Sequence, residues 1–204
     1  MLVTDGKVVN ICGFEKGRVS EENTVPKLNI KLGRGYDISV KCFTETSNFL
    51  VLGTSNSIFV FGISMQNVCS IPLDTEVTSL TLLEGQDSRQ ILVVGVKGGT
   101  IKIYDFAKLV LKEEALIGEQ SLYYVGDLYQ ILKVDYPGLD NPQSDQTIIL
   151  SGEYGLFYGI FTKDYSFDVK ASEKFFAGSS VSQITFMQHN STNRALSFLL
   201  THAV

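Results

Sequence analysis

The chain has no tryptophan, and among its 204 residues it has only four prolines, three cysteines and two histidines. Each scarcity removes a class of protein. Cys12, Cys42 and Cys69 are odd in number, far apart and set among apolar neighbours. They read as reduced core residues, since neither a disulfide framework nor a C-x-x-C metal pair can be built from that spacing. His189 and His202 stand without paired ligands, so no metal centre is expected. No cluster of Lys and Arg concentrates a positive field and the net charge is −5, which argues against a nucleic-acid partner. Met1-Leu2-Val3-Thr4-Asp5-Gly6 lacks the basic region and apolar core of a secretory signal, and no apolar stretch reaches the length of a membrane span. The expected compartment is intracellular and reducing, cytoplasmic or nuclear, and the sequon Asn190-Ser191-Thr192 is taken as a chance match.

What remains is a chain with 44% hydrophobic and 19% charged residues, rich in aromatic and β-branched types. That composition folds, and it favours sheet. Helical periodicity is scarce, whereas short apolar runs bounded by Gly, Ser, Asn or Asp recur at roughly ten-residue spacing, which predicts an all-β protein.

A longer period lies above that rhythm. Its clearest copy runs Val77 to Leu83, crosses a polar loop, enters Ile91-Leu92-Val93-Val94-Gly95, turns, and continues as Thr100 to Phe106, with Leu109 to Ile117 expected as a fourth strand. An earlier copy has strands at Ile38 to Phe43, Phe49 to Gly53, Ser57 to Gly62 and Val68 to Leu73. A later one has Leu128 to Tyr136, Thr147 to Gly152, Leu156 to Phe161 and Phe167 to Phe176, and a fourth begins at Val181 and reaches its second strand at Ala195 to Leu200. Gly53, Gly95, Gly152 and Thr201 take the same place in the four copies, with Pro137 to Asp145 and Gly118 to Asp127 as insertions. Lys7 to Phe14 and Lys27 to Leu32 are further strands, joined by a polar linker, Glu15 to Pro26.

Four antiparallel strands at intervals of roughly 40 to 45 residues resemble a WD40-type β-propeller blade. The resemblance is strongest at Leu92-Val93-Val94-Gly95-Val96-Lys97-Gly98-Gly99-Thr100-Ile101-Lys102-Ile103-Tyr104-Asp105, where Tyr104-Asp105 falls in the place of the family's Trp-Asp pair. No Gly-His pair precedes a blade, so the family's His and Asp relay is not implied here. The resemblance implies one all-β WD40-like propeller over residues 1–204, of about four to five blades. Approximate blades are 36–74, 75–117, 127–177 and an incomplete 180–204, with 1–35 forming a partial or closing blade. Either the chain is a piece of a larger propeller, or another chain covers its edge, or the first strands complete the last blade.

Chemistry-bearing patterns are few. A phosphate loop needs a Lys after its final Gly and a helix beyond, but Lys97 precedes Gly98-Gly99 and a strand pattern follows, so a hairpin turn is expected. The carboxylate pairs Glu21-Glu22, Glu113-Glu114 and Asp164 with Asp168 lie in polar segments, and no G-x-S-x-G occurs. No enzyme activity, no cofactor and no small-molecule ligand is expected. The expected function is a protein-interaction scaffold within a multi-subunit assembly, binding other protein subunits through rim loops, with Arg34, Tyr36, Lys97, Tyr123 and Tyr124 as candidate contact residues. The alternative is a propeller enzyme or small-ligand binder that uses the axial channel. A β-sandwich, two packed sheets without rotational repetition, is a third possibility.

Overall fold

The computed structural model describes residues 2–4, 9–15, 18–24, 40–46, 48–62, 64, 66–85, 88–133, 146–173, 181–190 and 195–202. Three complete four-stranded antiparallel sheets follow one another. The first contains β4 (Val40–Glu45), β5 (Phe49–Thr54), β6 (Ser57–Gly62) and β7 (Asn67–Pro72). The second contains β8 (Val77–Glu84), β9 (Gln90–Val96), β10 (Thr100–Asp105) and β11 (Leu116–Ser121). The third contains β12 (Leu128–Lys133), β13 (Gln146–Gly152), β14 (Gly155–Phe161) and β15 (Phe167–Glu173). Each is a simple meander. Before them lies a three-stranded sheet, β1 (Leu2–Thr4), β2 (Val9–Glu15) and β3 (Arg18–Thr24), and after them a hairpin, β16 (Val181–Asn190) and β17 (Ala195–His202).

First strands meet first strands: β4 packs on β8, β8 on β12, and β12 on β16. That is the arrangement of propeller blades, whose inner strands cluster while later strands fan outward, and it differs from a two-sheet sandwich. The described sheets form an open row.

Two apolar layers separate the three complete sheets. Val51, Ile58 and Val60 meet Val77, Leu92, Val94 and Tyr104 between the first and second sheets. Val93, Ile101 and Ile103 meet Ile148, Leu150, Phe157 and Phe161 between the second and third. Successive strand residues point to opposite faces, so the run from Ile91 to Val96 is apolar throughout because both faces of its sheet are covered. At about 25 cal/mol per Å² of apolar surface withdrawn from water, such double burial is the main force holding the sheets together.

The register shows the repeat more sharply than composition does. In each first strand one extra residue bulges out: Lys41, Thr78, Tyr129 and Ser182. The next residue pairs with Gly53, Gly95, Ser151 and Thr201 respectively. The fourth strands of the complete sheets repeat a second bulge, at Val68, Ile117 and Lys170. Bulges bend and twist a strand locally, so their recurrence gives each sheet the same curvature. The equivalent of Gly53 and Gly95 is therefore Ser151, one residue before the expected Gly152. At Gly95 a side chain would collide with the Ser79 hydroxyl and come within 3.2 Å of Leu128 Cβ in the neighbouring sheet.

Three other expectations are corrected. Leu109 to Ile117 is not a strand: Phe106–Val110 forms a short helix, α1, whose Phe106 and Leu109 are buried, and the fourth strand is β11. Asp105 caps α1 by accepting the backbone N–H of Lys108 at 3.2 Å. The segment from Gly118 onward is consequently half strand, and only Leu122 to Asp127 is loop. The expected linker from Glu15 holds strand β3, which pairs with β2. Lys27 to Leu32 and Pro137 to Asp145 lie outside the described residues.

Candidate functional site

The β9–β10 hairpin closes through Lys97, Gly98 and Gly99, with Val96 paired to Thr100. Gly98 and Gly99 have φ of 88° and 77°, the left-handed region that glycine enters without steric penalty. A strand follows, so the glycine cluster is a turn.

This turn is one of three loops that meet on a single rim. The second is the connection from β11 to β12, Leu122 to Asp127, and the third is the β13–β14 turn at Glu153 and Tyr154. Leu122 N–H donates to Gly99 O at 2.7 Å, and Gly98 N–H donates to a carboxylate oxygen of Asp127 at 2.6 Å. Asp127 N–H donates to the Glu153 carboxylate at 3.3 Å, while Glu153 N–H donates back to Asp127 O at 2.9 Å and Tyr154 N–H to Val125 O at 3.2 Å. Lys97 N–H is held by Glu76 O at 2.8 Å. Backbone groups of all three loops are thereby paired, so the rim is preorganised.

Three tyrosines project from it. Tyr123 is 70% exposed, Tyr124 53% and Tyr154 52%, although the loop between them is anchored by buried Leu122 and Val125. Tyr124 sets one ring edge on Phe157, with centroids 6.1 Å apart, which fixes its direction. Burial pushes the Tyr124 hydroxyl above its ordinary pKa, and the nearby Asp168 carboxylate adds to the shift. Lys97 is exposed on the adjoining turn.

Of the residues singled out from sequence, Lys97 on one loop and the adjacent pair Tyr123 and Tyr124 on another thus come together on one rim, although the two loops are separated along the chain. Arg34 and Tyr36 lie outside the described residues. Tyr154 and Glu153 were missed. Their signal was the short turn Glu153-Tyr154 between two apolar strands, at the place in its sheet that Lys97 to Gly99 takes in the second.

Tyr104-Asp105 has a structural role. Tyr104 is 6% exposed and packs between the first and second sheets, and Asp105 caps α1. His189 pairs with Leu196 and His202 with Val181, at opposite ends of the β16–β17 ladder. Among the described residues, no three His, Cys, Asp or Glu side chains gather as a metal site, and no helix is long and apolar enough to cross a membrane.

No family model matches the chain, and no curated protein matches it in sequence. Solved structures do: 273 chains share its architecture, too many for the fold by itself to select a function. One belongs to the crystal structure of a mitotic checkpoint complex, with a TM-score of 0.60 at 14% identity. The match covers 90% of this chain and 50% of that one, so this chain spans about half the length of its solved neighbour. The likeness is one of fold, and together with the stacked meanders it makes the architecture β-propeller-like.

Proposed function

We propose that the chain is a WD40-like propeller unit over residues 1–204 that acts as a non-catalytic interaction scaffold, a subunit of a larger protein assembly inside the cell. The observation that carries this reading is the rim itself: three exposed tyrosines and Lys97 on loops whose backbone is already hydrogen-bonded. Tyrosine contributes a large contact area with few rotatable bonds, and a preorganised loop loses little entropy on binding. The solved neighbour comes from a multi-protein complex, which supports the same reading weakly. The intracellular placement rests on the dispersed cysteines, of which Cys69 is a free, half-buried thiol pushed above its ordinary pKa by burial.

Affinity capture with the wild-type chain and with a Tyr123→Ala/Tyr124→Ala variant tests the proposal. Proteins retained by the first and lost by the second support it. Identical capture by both removes it.

A further inference from the structure

The charge of the rim narrows the kind of protein it fits. Among the described residues, the loops around the three tyrosines carry Asp74 and Glu76 between β7 and β8, Asp127 before β12, and Glu153 in the β13–β14 turn, against one cation, Lys97. The Glu76 loop is tied to the Lys97 turn, since Lys97 N–H donates to Glu76 O at 2.8 Å. Carboxylates outnumbering the ammonium give this patch a negative potential, which repels nucleic acid and anionic lipid and attracts a basic polypeptide.

Gly126 brings charge and ring together. It has φ of 70°, and a side chain there would stand 2.7 Å from a carboxylate oxygen of Glu153 and 3.0 Å from the Tyr154 ring. The carboxylate and the exposed ring therefore share the space beside one glycine. Asp127 adjoins them, because its N–H donates to that same Glu153 oxygen at 3.3 Å. Gly98 N–H takes up one oxygen of Asp127. A carboxylate offers about four acceptor positions, so one backbone donor leaves it able to accept charged donors as well.

We propose that the rim binds an arginine-bearing basic segment of a partner protein, with one guanidinium laid on Tyr154 and hydrogen-bonded to Glu153 and Asp127. Arginine fits this pairing better than lysine: its flat group stacks on an aromatic face while its fork of N–H donors reaches carboxylates, whereas an ammonium is a compact, strongly hydrated point charge. Tyr123 and Tyr124 then supply contact area beside the anchored side chain. The inference rests on the scaffold reading above and adds to it the chemistry of the partner.

A phage-displayed library of random peptides, selected on the full chain, supplies the probes. The expected result is enrichment of Arg and depletion of Asp and Glu. The tightest peptide should weaken about tenfold or more when its arginine is replaced by citrulline, the uncharged isostere. Glu153→Gln keeps an acceptor for Asp127 N–H, and the melting temperature checks that it folds. That variant should bind the arginine peptide about fivefold or more weakly, and citrulline should then cost clearly less than in wild type, because the two changes remove one interaction. Selected peptides that lack arginine, tolerate citrulline, or pay the same citrulline penalty in Glu153→Gln overturn the inference, as does a selection that enriches nothing. Where such peptides are still lost in the Tyr123→Ala/Tyr124→Ala variant, the scaffold reading stands. Peptides held equally by that tyrosine variant bind away from the rim and overturn both.

Discussion

The backbone N–H of Gly98 donates to the side-chain carboxylate of Asp127 across 2.6 Å, joining the hairpin of one sheet to the loop that leads into the next. The same Asp127 uses its own N–H and C=O on Glu153, so one residue links three loops. Asp127→Ala hands the exposed Gly98 N–H to water and is expected to destabilise the fold by about 0.5–1.5 kcal/mol, with Asp127→Asn losing less because an acceptor remains. Urea unfolding of the two variants measures the difference. Equal losses would mean that the loop is held by something other than this hydrogen bond.

Gln120 fastens the outer strands. Its side-chain amide donates to Phe167 O at 2.8 Å and accepts Phe167 N–H at 2.7 Å, bridging β11 and β15 as a backbone segment would. Gln120→Ala strands two polar groups and should lower stability by roughly 1–3 kcal/mol, whereas Gln120→Glu keeps the acceptor and loses the donor. Hydrogen exchange at Phe167 should accelerate in both variants, more in the first.

The two turn glycines should separate backbone strain from collision. Both have positive φ, but a side chain at Gly98 would meet nothing within 4 Å, whereas one at Gly99 would stand 3.0 Å from Leu122 O and 3.1 Å from Gly126 O. Gly98→Ala is therefore expected to cost about 1 kcal/mol, and Gly99→Ala to exceed it by at least ~1 kcal/mol. Thermal unfolding of the two proteins side by side decides this.

Two tyrosines make the fold alkali-sensitive. Burial raises the Tyr104 hydroxyl above its ordinary value of 10.0, with Glu119 adding to the effect. Tyr124 is raised by burial and then by Asp168. A raised value means that the folded chain holds the proton more tightly than the unfolded one. The resulting stability is complete below pH 10 and is lost as the pH climbs through the folded values. Tyr104→Phe should flatten the decline of stability above that pH. The tyrosinate absorbance lost in Tyr104→Phe relative to wild type should lie above the ordinary value of 10.0.

The turn at Gly98-Gly99 was legible because two adjacent glycines between apolar runs leave few other structures, and the sheet order was legible because the apolar runs recur at one spacing. Gly152 misled the register. It is glycine because a side chain there would collide with Val125 of the loop that leads into β12, while Ser151 fills the place opposite the bulge. A contact within the third sheet's own entry, between residues far apart in sequence, set that choice, and no local pattern carries it. The helix α1 was legible in principle, since Asp105 precedes apolar residues at Phe106, Leu109 and Val110, the spacing of one helical face. The surrounding strand rhythm outweighed so short a signal. The rim was half legible: Tyr123 and Tyr124 stood out by type, but their meeting with Lys97 and Tyr154 depends on how the loops are hydrogen-bonded.

The central claim is that the rim tyrosines bind protein. Quantitative mass spectrometry of material captured from the native source by wild-type chain and by the Tyr123→Ala/Tyr124→Ala variant tests it most directly. Both side chains are largely exposed, so the variant should melt within a few degrees of wild type. The account predicts a defined set of proteins depleted about tenfold or more in the variant, the effect of removing an aromatic hot spot. An unchanged set at equal melting temperature would contradict it.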